Sequence, residues 1–128
     1  MRRLLAALIF ASIALPSAHA ADPPKRKIVP PPQLTATVTA KPSTTLTLRP
    51  KALRVQRLKA SWYTLTIRDL SAKQNFHLTG PGVNRRTGVQ FRGIAIWGVH
   101  LRPGVYRYRS DRASTQGGHT FRVVKSAA

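Results

Sequence analysis

The chain has no cysteine, and that absence excludes a great deal. No disulfide can form, so stability has to come from a packed core, and no catalytic thiol, thiolate metal ligand or cysteine-based zinc site is available. Glutamate is absent as well, and three aspartates supply every acidic side chain in 128 residues. Acid–base chemistry by paired carboxylates therefore has little material. Helical periodicity of useful length is missing too, as is a phosphate loop, since Gly80-Pro81-Gly82 reads as a turn with no strand–helix unit and lysine after it. No run reaches the roughly 20 apolar residues that a membrane-crossing helix needs. The closest is Leu4 to Leu15, preceded by Arg2 and Arg3 and followed by Pro16 and Ala18-His19-Ala20, which together read as a secretory signal over residues 1–20 with an A-x-A cleavage site.

What is abundant is positive charge. Twenty-two Lys and Arg give a formal net charge of +19, and loss of Arg2 and Arg3 with the signal leaves 20 of them against three Asp, about +17. Charge of this size argues about partners rather than fold. Export takes the chain away from chromosome and ribosome, so the expected partners are an anionic envelope polymer or a membrane surface, with no specific nucleic acid, and the protein is expected to be secreted or periplasmic and monomeric.

After the signal, residues 21–42 read as a Pro- and Lys-rich tether, because Pro runs and the Lys25-Arg26-Lys27 cluster favour extended, solvated backbone. Within it, Leu34, Ala36 and Val38 alternate with Thr and suggest a strand at the edge of the domain. The folded domain is expected over 43–125. There apolar residues recur with period two: Leu46 and Leu48; Leu53 and Val55; Tyr63, Leu65 and Ile67; Ala95, Trp97, Val99 and Leu101; Tyr106 and Tyr108; Phe121 and Val123. Turn residues separate these runs at 59–61, 79–82, 102–104 and 117–118. Six or more short strands with reversals about every ten residues predict an all-β, Greek-key β-sandwich or barrel. On the same alternation His100 and Trp62 face away from the core, whereas Trp97 belongs to it.

Two blocks carry more than a pattern. Tyr63 to Ser71 and Asn75 to Gly82 reproduce Y-T-h-x-h-x-D-x-S followed by N-F-H-L-x-G-P-G, and Gly93, Trp97, Val99, Leu101, Pro103, Gly104, Tyr106, Tyr108, Asp111, Phe121 and Val123 keep the frame G-x-x-x-W-x-V-x-L-x-P-G-x-Y-x-Y-x-x-D that ends in F-x-V. In this the chain resembles the small secreted cupredoxins, the plastocyanin-like blue-copper domains. The resemblance implies a cupredoxin-like sandwich and locates the four positions that hold type 1 copper in those relatives. Here they are Gln74 for the first His, Ser110 for the Cys, Ala113 for the second His and Gly117 for the Met. Type 1 copper needs a soft thiolate, two imidazoles and a weak thioether, so no metal cofactor is expected. The alternative is a rearranged copper site built from His77 and His119, serving copper handling or electron transfer.

No enzymatic activity is expected. Ser110, His119 and Asp111 suggest a triad only on paper, because adjacent strand residues point to opposite faces and no nucleophile-elbow motif accompanies them. Asp69, at a strand end in Asp-Leu-Ser, is expected to accept local backbone hydrogens. The positive functional feature is a basic strand face. If Tyr106, Tyr108 and Phe121 point inward, then Arg107, Arg109 and Arg122 point outward on neighbouring strands, with Arg112 nearby, as a candidate surface for an anionic ligand.

Overall fold

The computed structural model describes residues 13–14, 23–40, 44–49, 53–112 and 118–127. Two sheets face each other. One holds β2 (Thr44–Leu48), β1 (Gln33–Val38), β4 (Ser61–Asp69) and β7 (Gly93–Leu101), in that order; the other holds β3 (Arg57–Lys59), β9 (His119–Val124), β8 (Gly104–Arg109), β5 (His77–Gly80) and β6 (Val83–Arg86). Among the described residues there is no helix. Strand alternation drives the layering. Tyr63, Leu65 and Ile67 from β4, and Trp97, Val99 and Leu101 from β7, meet Tyr106 and Tyr108 from β8 and Phe121 and Val123 from β9 in one buried core. Its centre is aromatic: the Phe76 ring lies 6.0 Å from those of Trp97 and Tyr108, and Tyr106 stacks on Phe121 at 5.4 Å.

The sandwich begins earlier than residue 43. β1 is interior, antiparallel to β2 and parallel to β4, with Leu34 opposite both Leu48 and Leu65. Leu34, Ala36 and Val38 are almost completely buried, so the strand read from the sequence as an edge is a central one and the tether ends before Gln33. The parallel β1–β4 pair is a non-local contact, which local alternation does not disclose. The Leu53/Val55 pair also behaves differently from its reading as a strand. Val55 is buried, but Leu53 is 68% exposed, and the segment makes only an isolated bridge, Arg54 to Thr47, before β3 begins.

The β5–β6 hairpin closes on Pro81-Gly82, where Pro fixes φ and Gly82 adopts φ +71°, as a type II turn requires. Tyr106 locks this turn to the β7–β8 loop: its hydroxyl donates to the Pro81 carbonyl at 2.9 Å and accepts the Arg102 N–H at 2.9 Å. Gly80 lets the ring lie there, since a Cβ at that position would stand 2.2 Å from Tyr106 Cδ1. Tyr106→Phe leaves two part-buried backbone groups without their partner, so it is expected to cost about 1–3 kcal/mol. Urea unfolding checks this, with a shifted midpoint at unchanged slope.

Candidate functional site

Of the four positions that correspond to copper ligands in the resemblance, Gln74 and Ser110 come together and bond to each other. β4 ends in Asp69-Leu-Ser71, whose Ser71 N–H donates to Asp69 Oδ1 at 3.0 Å, and the chain then turns so that Gln74 and Asn75 approach the end of β8. There the Ser110 hydroxyl donates to Gln74 Oε1 at 2.5 Å and accepts the Asn75 N–H at 3.2 Å. Asn75, 1% exposed, donates from Nδ2 to the Thr87 carbonyl at 2.9 Å and to Asp111 Oδ2 at 2.7 Å, while its Oδ1 accepts the Asp111 N–H at 2.7 Å. The strand end is thus tied by side-chain amides and a hydroxyl. Gln74 and Ser110 offer hard oxygen donors already engaged with one another, which does not fit a type 1 copper centre. Ala113 and Gly117 lie outside the described residues.

His77 and His119 are not brought together. His77 points from the outer face of the five-stranded sheet, where its Nδ1 lies 2.7 Å from Asp111 Oδ1 and its Nε2 lies 2.7 Å from Asn84 Oδ1. Both ring nitrogens are thereby occupied. His119 pairs across the ladder with Tyr108 and packs its ring 5.4 Å from the Tyr108 ring on the inner face. Opposite strand faces separate the two imidazoles, so they do not form the rearranged copper site. Burial, helped by the nearby positive charge of Arg54, pushes the His119 pKa below its ordinary value. Among the described residues no group of three or more His and Asp gathers into a metal-sized cluster. The Ser110, His119 and Asp111 triad is likewise not assembled, since Asp111 bonds to His77 and Ser110 to Gln74.

The two carboxylates of the domain titrate in opposite directions. Burial raises the pKa of Asp69 above 3.8, only partly offset by the Ser71 N–H and the Arg92 charge, and its Oδ2 has no hydrogen-bond partner. For Asp111 burial pulls the same way, but the hydrogen bonds from Asn75 and His77 and the charges of His77 and Arg86 outweigh it and hold the pKa below 3.8. Arg86 Nη1 stands 3.9 Å from Asp111 Oδ2. A lowered carboxylate pKa contributes stability that is present above the unfolded value and is lost as pH falls through the folded one, whereas a raised pKa does the reverse. Melting temperature measured against pH through the acid range is therefore expected to rise less steeply with pH in Asp111→Asn than in the unmodified protein, and more steeply in Asp69→Asn.

The outer face of the five-stranded sheet carries the charge. Register puts Arg57 opposite Arg122, and Arg122 opposite Val105; Arg107 sits between Thr120 and Thr79; Arg109 faces His77, which faces Arg86. Arg107, Arg109 and Arg122 thus share one face, as alternation predicts, but along a diagonal, with Arg107 and Arg122 as diagonal neighbours about 7–8 Å apart. Arg57, Lys59 and Arg86 extend the same face and were not legible as part of it. Arg112 belongs elsewhere, at the strand end beside Lys73, Gln74 and Gln90. Of the carboxylates in the described residues, Asp69 is buried, and Asp111 stands at the Arg109–His77–Arg86 end of the face.

No protein-family model matches the chain, and no curated protein matches it. Solved structures do. Reduced rusticyanin matches at 15% identity over 72% of this chain and 78% of its own, with a TM-score of 0.53, and rusticyanin from Thiobacillus ferrooxidans matches at 14% identity over 72% and 76%, with a TM-score of 0.52. The fold is therefore that of the cupredoxins. The cupredoxin likeness read from the sequence thus holds for the fold of the chain.

Proposed function

We propose that this chain is an exported, non-enzymatic cupredoxin-like module that works without type 1 copper and binds anionic envelope material through the outer face of its five-stranded sheet. The observation that carries the reading is the placement of Arg57, Lys59, Arg86, Arg107, Arg109 and Arg122 on that one face. Like charges on neighbouring strands repel, and a polyanion laid across the strands removes that repulsion while gaining several charge-assisted contacts at once. Guanidinium groups suit phosphate and carboxylate oxygens because they donate in a planar fork. The hydrogen-bonded Gln74–Ser110 strand end supports the same reading, since it closes the scaffold with the protein's own side chains.

Cosedimentation with vesicles containing anionic phospholipid, and with neutral vesicles as control, tests the proposal. Binding to the anionic vesicles alone is expected at low salt, and it should weaken steeply as salt rises, because exposed charges are screened over about 8 Å at physiological ionic strength. Equal binding to neutral vesicles, or none to anionic ones, contradicts it.

A further inference from the structure

A second surface, away from the basic sheet face, combines features that the face lacks. Where the edge strands β6 and β7 approach each other, the sandwich opens into a cleft of about 350 Å³. Trp62, directed outward from β4, is 59% exposed and pairs across the ladder with His100 on β7, their ring centroids 5.0 Å apart at 31°. Next to His100 along the same outward row stands Gly98, and a Cβ built there meets nothing within 4 Å, so the floor beside the indole is open. Glycine in mid-strand is locally unfavourable and often marks a place where something approaches the backbone closely. Two guanidinium groups complete the cleft. Arg102 lies over the hairpin turn, its Cζ 3.5 Å from where a Gly82 Cβ would stand, and Arg85 lines the cleft with its Cζ 4.8 Å from the centre of the Trp97 ring.

The chemistry of this set is specific. The ion pairs of the described residues all end on Asp111, and they join His77 and Arg86 to it, so neither Arg85 nor Arg102 has a carboxylate partner. A neutral sugar is recognised by directional donors and acceptors, whereas the one side-chain amide here, Asn84, already accepts at its Oδ1 from His77 Nε2. An exposed indole beside guanidiniums that lack a carboxylate partner is instead the combination that holds a single nucleic-acid strand, with a base stacked on the ring and phosphates on the cations. The cleft lies at an edge between two sheets and admits an unstacked base, not a duplex groove.

We propose that this cleft binds single-stranded nucleic acid without sequence preference, stacking a base on Trp62 and holding the flanking phosphates with Arg102 and Arg85. The inference goes beyond the sheet-face reading and uses none of its residues. The test compares the full-length protein's affinity for an oligothymidylate with its affinity for an abasic strand of equal length and phosphate count, by fluorescence anisotropy at physiological salt. Stacking is expected to favour the oligothymidylate by at least about fivefold. Trp62→Ala, at an exposed position, should bring the ratio to about one while leaving the unfolding transition cooperative and the affinity for the abasic strand unchanged, and Arg102→Glu should weaken both strands alike.

A ratio near one in the unmodified protein, or a preference that survives Trp62→Ala, overturns the proposal. So does Trp62-dependent binding of a sulfated glycan as strong as that of the oligothymidylate, which would assign the cleft to sugars. Reversing Arg107, Arg109 and Arg122 to Glu should lower affinity for both strands and leave their ratio intact. Failure of the sheet face and failure of the cleft are thereby told apart.

Discussion

Reversing Arg107, Arg109 and Arg122 to Glu is expected to abolish binding to anionic vesicles at physiological salt while leaving the fold intact. A basic residue held near an anionic surface contributes about 1 kcal/mol, so removing three costs on the order of 3 kcal/mol, roughly 150-fold in affinity, before the repulsion of three new carboxylates is added. The three side chains project outward from β8 and β9, and their inward neighbours, Tyr106, Tyr108, Phe121 and Val123, keep the core. An unchanged far-ultraviolet spectrum and an intact cooperative unfolding transition should confirm that the fold is retained. Neutralising Lys25, Arg26 and Lys27 should matter less, because those residues precede the sandwich on an extended segment without sheet partners. If the reversed protein binds as well as the original and tether neutralisation alone weakens it, the sheet face is a passive scaffold.

Trp97→Ala is expected to cost about 3–5 kcal/mol, the range for removing a large aromatic from a packed core. Trp97 is 8% exposed, packs on Phe76 and carries Arg85 over its ring, so the substitution opens a cavity and strands a guanidinium together. Against the 5–15 kcal/mol that a domain of this size has in total, the loss should lower the melting temperature by more than about 12 °C. A cost under about 1 kcal/mol would mean that β7 does not present Trp97 to the core.

Local alternation made most of the sandwich legible. Tyr63-x-Leu65-x-Ile67, the Ala95-to-Leu101 series, Tyr106 with Tyr108 and Phe121 with Val123 all point where period two says, because each lies on a strand with one face in the core. Trp62 and His100 fall on the outward face for the same reason. What local pattern cannot show is pairing between distant segments. β1 looked like an edge until its parallel partner β4 was in view, and β3, three residues long with only Leu58 buried, is too short to display a period. Arg57 and Lys59 were missed with it. Arg86 was missed because Val83–Arg86 has almost no apolar alternation; its strand is defined by the Pro81-Gly82 turn and by pairing with β5.

The strand end was half legible. The resemblance pointed to Gln74 and Ser110 as the counterparts of metal-holding positions, and their residue types offer neither thiolate nor imidazole there. That the two would meet as donor and acceptor, with Asn75 beneath them bonded to Thr87 and Asp111, depended on side-chain placement that no spacing encodes. The same holds for His77 and His119. Both lie near this end in sequence terms, and only the ladder register shows that one projects outward beside Arg109 and the other inward beside Tyr108.

The claim at the centre is that this cupredoxin scaffold works without type 1 copper, and metal analysis of protein purified without a histidine tag tests it most directly, paired with an absorption spectrum after incubation with copper(II). No stoichiometric copper is expected in the purified protein, and no intense charge-transfer band near 600 nm, about where copper–thiolate absorption of this class lies. One tightly held copper per chain with an intense blue band would contradict it.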